Sequence, residues 1–135
     1  MCARSQDLRA VNAAVIKQRL MVAGYSCQAA DSYNDFIRAY RRDLQDSDYD
    51  LQTFFYRLYG QEGDRALDSF KTRIANISMV NSVTDTGAYC ASARASFDTA
   101  MSIRRKSLET FLVSQTTGTA ERFAPCDVST ASNTG

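Results

Sequence analysis

Histidine is missing from this 135-residue chain, and so is tryptophan. Without histidine the commonest general base and the commonest metal ligand are gone, which weighs against acid–base catalysis and zinc sites. Proline occurs once and glycine six times. So few breakers favour long uninterrupted helices and argue against a turn-rich β fold. Neither sign of charge is in excess. Sixteen basic residues stand against 15 acidic ones, a net charge of +1, so no overall field recruits nucleic acid or an anionic membrane. No apolar run approaches the length needed to span a bilayer. The cysteines include no C-x-x-C pair, which leaves zinc-ribbon and redox-motif readings without support.

What remains is the composition of one globular domain, 44% hydrophobic and 23% charged, with room for a single core. Its four cysteines, Cys2, Cys27, Cys90 and Cys126, are widely spaced and even in number. Such a set reads as two structural disulfides, and hence as an oxidising compartment, periplasmic or secreted. Reduced, buried thiols are the alternative. Met1 directly before Cys2 reads as a start placed on a mature sequence after removal of an export signal. A lipid-modified Cys2 would leave an odd number of thiols and is the weaker reading.

Apolar spacing predicts four helices. The first starts at Ser5 and runs to about Ala23, with Gly24 as its stop. It carries one stripe of Leu8, Val11, Val15 and Val22 and an offset second one of Ile16 and Leu20, so it should be buried on more than one side. The second opens near Ala30-Asp31-Ser32 and keeps one phase from Tyr33 to Leu58. It is a single long helix kinked near Ser47-Asp48, or two helices, the second capped there. The third, about Asp64 to Asn81, has a stripe of Leu67, Phe70, Ile74 and Ile77. After a break at 82–87, the fourth runs from about Ala88 to Gln115 and carries Ala93, Phe97, Ala100, Met101, Leu108, Phe111 and Leu112. Thr116 to Thr119 reads as a loop, and 127–135 as a disordered tail outside a single helical domain of residues 1–126.

The expected fold is therefore all-α, an up-down-up-down four-helix bundle. Residues 1–30 carry Arg4, Arg9, Lys17 and Arg19 against Asp7 alone, and 31–60 hold six aspartates against four arginines, which favours pairing of the first two helices. The topology sorts the cysteines by end. Cys27 and Cys90 fall at one end and Cys2 and Cys126 at the other, so the predicted bridges are Cys27–Cys90 and Cys2–Cys126.

One polar level interrupts the stripes. Arg104 falls between Ala100 and Leu108 on the fourth helix, and Asp48 interrupts the second. Counted from the same end they lie about 16 and 17 residues down, at matching heights for a rise of 1.5 Å per residue. An inward arginine must be paired or reach water. An Asp48–Arg104 pair, with Asp46 nearby, either fixes register or contacts a small ligand inside the bundle. Asp46-x-Asp48-x-Asp50 starts like a calcium loop but has Leu51 where glycine and Arg57 where glutamate belong. No metal or cofactor is expected. The short basic runs Arg41-Arg42 and Arg104-Arg105-Lys106 read as solvated faces, and the sequon Asn76-Ile77-Ser78 falls inside a helix. Tyr56 and Tyr59 lie off the stripe, and their exposure would point to a partner surface.

The opening Cys2-Ala3-Arg4-Ser5-Gln6-Asp7-Leu8, the segment Leu20-Met21-Val22-Ala23, Cys27 and Tyr33-Asn34-x-Phe36 resemble uncharacterised short exported helical proteins of alphaproteobacteria. The resemblance covers roughly the first 80 residues and Cys90. It implies an envelope or secreted location and carries no functional residue. With no catalytic constellation in view, the sequence favours a non-enzymatic interaction module with a protein partner. A small-ligand carrier built on Asp48 and Arg104 is the alternative.

Overall fold

A computed structural model describes residues 2–115 and 123–126. The expected loop at 116–119 and the expected tail at 127–135 lie outside the described residues. Those described form six α-helices: α1 (Ser5–Ser26), α2 (Ala30–Ala39), α3 (Arg41–Tyr59), α4 (Gly63–Thr84), α5 (Thr86–Ser102) and α6 (Leu108–Val113), with a 3₁₀ turn at Gly60–Glu62. Among them no helix is long and apolar enough to cross a membrane. The all-helical class holds, but the expected four-helix count does not, because two of the four segments are split.

α1 is the central element and packs against every other α-helix. Its two apolar stripes explain this: Val11, Val15 and Val22 are buried on one side, Ile16, Leu20 and Ala23 on another. The helix passes through Gly24 and ends only at Ser26. At Gly24 a β-carbon would touch that of Tyr33 at 3.4 Å, so this glycine marks the approach of α2 and does not terminate α1. At the other end, α1 opens with Asp7 accepting the Arg4 amide at 2.8 Å, an acid at the third position closing on the cap residue.

The second segment breaks at Tyr40 and not at Ser47-Asp48. The helical bonds nevertheless continue through the junction: the Tyr40 amide donates to the Phe36 carbonyl, and the Leu44 amide donates to that of Tyr40. That continuity keeps the apolar phase unbroken from 33 to 58. α3 ends where Gly60 adopts φ +57°, a region side chains disfavour. A β-carbon on Gly63 would stand 2.9 Å from the Tyr56 backbone, so glycine there permits α4 to leave tight against α3.

The fourth segment departs most from expectation. α5 stops at Ser102, and the chain resumes as α6 after 103–107. No glycine or proline lies between. Two distant side chains hold the break. Tyr40 donates its hydroxyl to the Ala100 carbonyl at 2.6 Å, a buried bond that takes an orphan acceptor at the end of α5. Asp43 accepts the Leu108 amide at 2.9 Å at the start of α6, where Ser107 also caps through the Thr110 amide. α6 then folds back along α5: Phe111 packs on Phe36 and Tyr40, and Ser96 donates to the Gln115 side chain.

The core has two parts. One gathers Ile16, Leu20, Phe36, Tyr40, Phe97 and Phe111. The other gathers Val11, Val15, Leu51, Phe54, Phe55 and Phe70. Over the second lies Phe123, edge-on to Phe54 and Phe55. It covers the end of the fold that the fourth helix was expected to reach. Residues 124–126 pair with Ala3 through two backbone bonds of 2.7 Å. The cysteines pair as Cys2–Cys126 and Cys27–Cys90. The sorting by ends survives the extra helices because α2 and α3 together still run the length of α1, from Tyr33 at Gly24 to Arg57 at Asp7.

Burial pushes the Tyr40 hydroxyl above its ordinary value of 10.0, with the Asp43 charge adding to the effect. Tyr33 and Tyr89 are raised as well, again chiefly by burial. A phenol whose pKa is higher in the folded state contributes stability that is complete below its unfolded value. That contribution is lost as pH rises through the folded value. Denaturant titrations should therefore show stability falling from about pH 10 upward. Tyr40→Phe should lower stability at neutral pH by about 1 kcal/mol, for the lost bond to Ala100, and flatten the alkaline decline. An unchanged alkaline slope would show that Tyr40 does not titrate with unfolding.

Candidate functional site

Asp48 and Arg104 do not meet. The Asp48 carboxylate accepts from Lys71 on α4 at 3.1 Å and from Gln52, one turn along α3, at 2.9 Å. Arg104 lies exposed in the bend after α5. The expected polar layer assumed helical periodicity through residue 104, and α5 has ended two residues earlier. Asp46, Asp48 and Asp50 all belong to α3, and no group of side chains among the described residues is arranged to hold a metal ion.

The buried ion pair that does exist is Asp7–Arg57. Arg57 donates to Asp7 at 2.5 Å and to the Cys2 carbonyl at 3.0 Å, and its guanidinium lies over the Phe54 ring. The Asp7 side chain is 6% exposed. This cluster ties the start of α1, the end of α3 and the Cys2–Cys126 bridge together. Its bonds among the described residues all run between parts of the fold, so it reads as a structural tie.

Two other features are not accounted for by the fold. The first is the outer face of α4. Leu67, Phe70 and Ile74 point inward, and the next inward positions are Ser78 and Ser82. Ile77, expected in the inward stripe, is exposed instead. Small inward residues suit the crowded end of the fold. Ser82 donates to the Met79 carbonyl and accepts from Ser26 on α1, and the Tyr89 hydroxyl on α5 donates to the Arg19 carbonyl. The apolar residues of this half-helix therefore face out: Ile77, Met79, Val80 at 60% exposure and Val83 at 74%. At about 100° per residue they fan over roughly 160° of the outward side within about 10 Å of helix, with exposed Asn76 among them. The sequence held a signal, since Val80 and Val83 are out of phase with Leu67, Phe70 and Ile74 while the two serines are in phase. Tyr56 and Tyr59 are also exposed, as is Tyr49 on α3.

The second feature is a cleft of about 70 Å³ between α1, α3 and α4. Lys17 and Gln18 border it from α1, Ser47 and Asp48 from α3, and Lys71 from α4. Asp48 was singled out from sequence, with Ser47 beside it as a kink or cap, and Lys17, Gln18 and Lys71 were not. Gln18 and Lys71 lie 53 positions apart on helix faces with no local mark of a site. No family model matches the chain, and no curated protein or solved structure matches it either.

Proposed function

We propose that this chain is an exported, non-enzymatic interaction module that docks a protein partner on the outer face of the C-terminal half of α4. The observation that carries the proposal is the inverted polarity of that half-helix, with serines inward and Ile77, Met79, Val80 and Val83 outward. β-branched residues lower helix propensity, and exposed ones gain nothing from the core. Singly exposed apolar residues are ordinary, but four within two turns on the outward side of one helix favour an interaction site. Export is supported by the two disulfides, which persist in oxidising compartments, and by the resemblance to exported alphaproteobacterial proteins. The lack of histidine supports a role other than catalysis.

The test is a photo-crosslinking residue at position 80, installed in the chain within an exporting bacterial host. A discrete adduct of one mass is expected. It should be absent when the probe sits at position 65, on the exposed first turn of the same helix. Met79→Asp with Val83→Asp should remove the adduct while shifting stability by no more than about 0.5 kcal/mol per site, as for other surface changes. An adduct that survives both aspartates, or none above the position-65 control, would overturn the proposal.

A further inference from the structure

We infer that the segment between α5 and α6 is a cleavage site for an endopeptidase that reads paired basic residues, and that the cut chain persists as two pieces joined by Cys2–Cys126. The inference does not rest on the α4 face. Its first support is a contrast within the chain. Adjacent basic residues occur at Arg41-Arg42 and at Arg104-Arg105-Lys106. An endopeptidase of this class holds two successive cationic side chains in acidic pockets and binds the backbone around them as an extended strand. Both arginine pairs are exposed, so exposure does not separate them.

Backbone does. Arg41 and Arg42 open α3, and the Leu44 amide donates to the Tyr40 carbonyl across them. Binding that pair as a strand would unwind a junction that carries Phe36, Tyr40 and Leu44 into the core. Arg104 and Arg105 lie outside any helix. They stand between Ile103 at φ −70°, ψ 123° and Ser107 at φ −102°, ψ 118°, both extended. Around the Arg105–Lys106 bond, residues 103–107 can be bound without unwinding α5 or α6. For a cut after Lys106 the bound strand would instead reach into Leu108, buried at the start of α6. Neither arginine forms an ion pair among the described residues. What gives way on binding is the bend at Arg104-Arg105 and the bond from the Lys106 ammonium to the Ile103 carbonyl.

The second support is what holds the new ends. Hydrolysis breaks the Arg105–Lys106 amide. Water gives a hydroxyl to the Arg105 carbonyl carbon and a hydrogen to the Lys106 nitrogen, leaving pieces 1–105 and 106–135. Before the cut, Tyr40 holds the Ala100 carbonyl. Beyond it, Asp43 holds the Leu108 amide, and Phe111 packs on Phe36 and Tyr40. These contacts cross between the pieces or flank the break, and none needs the bond that is lost. Cys27–Cys90 lies wholly within the first piece, whereas Cys2–Cys126 joins the first to the second. The outer bridge then becomes the covalent tie between two chains.

The experiment treats the oxidised full chain with an endopeptidase specific for paired basic residues and follows mass with and without reductant. A single early product is expected, heavier than the chain by one water, that separates into 1–105 and 106–135 on reduction alone. Cutting there should be at least about tenfold faster than after Arg42, which must first unwind. The product should keep its helical circular dichroism. Arg104→Gln with Arg105→Gln should abolish the early cut, and Arg41→Gln with Arg42→Gln should leave its rate unchanged. A synthetic peptide of residues 100–111 confirms that the enzyme accepts the sequence. An oxidised chain left whole under conditions that cut this peptide would overturn the assignment. So would a first cut after Arg42, or a cut chain that loses its helical signal or falls into two pieces without reductant.

Discussion

Reducing both disulfides is expected to unfold this domain in a buffer that leaves the oxidised chain folded. Cys27–Cys90 spans 63 residues. In the chain-entropy account a loop of that length is worth about 4 kcal/mol. Cys2–Cys126 spans 124 residues, but it encloses the inner loop, so with that bridge in place it closes only about 60 further residues and adds about 4 kcal/mol more. The pair together supply about 8 kcal/mol, against a total of about 5–15 kcal/mol for an ordinary domain. The two losses should differ in kind. Cys27→Ala with Cys90→Ala loosens α1 against α5 and acts on the whole fold. Cys2→Ala with Cys126→Ala also leaves residues 123–126 held by two backbone bonds and Phe123, so Phe123 should leave the Phe54–Phe55–Phe70 cluster before global unfolding. Thermal melts of oxidised, singly bridged and fully reduced, alkylated chains separate these cases. A reduced chain melting within a few degrees of the oxidised one would mean that the helices alone carry the fold.

The cysteine pairing was legible in the sequence because it depends only on which end of a helix each cysteine occupies, and splitting a helix without reversing it leaves that unchanged. The burial of α1 was legible for a similar reason: its two stripes cannot both face one neighbour. The break at 103–107 was not. Its local marks are weak, a serine cap at Ser107 with Glu109 in the first turn and three consecutive charges. What holds it open is Tyr40 on Ala100 and Asp43 on Leu108, each bond spanning 60 or more positions. Periodicity counts positions along one segment and has no access to such contacts. Arg104 was placed in the core by extending that count two residues past the end of α5. Asp48 was placed in a polar layer inside the bundle, but its side chain is 43% exposed and its partner lies on α4, where Lys71 reads as an ordinary surface lysine. The α4 face could have been read, since an in-phase pair of serines beside out-of-phase valines is visible in the letters alone.

Arg57→Met should destabilise the chain by about 3–5 kcal/mol, the cost of leaving a buried carboxylate without its counter-charge. Among the described residues Asp7 is held by the Arg57 guanidinium and the Arg4 amide, and it is largely buried in the first turn of α1. Arg57 is less buried, with 23% of its side chain exposed, so Asp7→Asn should cost less: the arginine keeps the Cys2 carbonyl, the Phe54 ring and some solvent. The asymmetry identifies the carboxylate as the group that requires the pair. Methionine fills much of the space of the arginine stem and preserves contact with Phe54, so the loss in Arg57→Met reports charge more than packing. The double variant Asp7→Asn with Arg57→Met removes both charges and should be more stable than Arg57→Met alone. Urea denaturation of the four proteins closes the cycle, and a coupling of about 2 kcal/mol or more is expected for a pair this close. Additive losses would instead assign the effect of Arg57 to its bond with the Cys2 carbonyl, and the Cys2–Cys126 end would then depend on that bond and not on the ion pair.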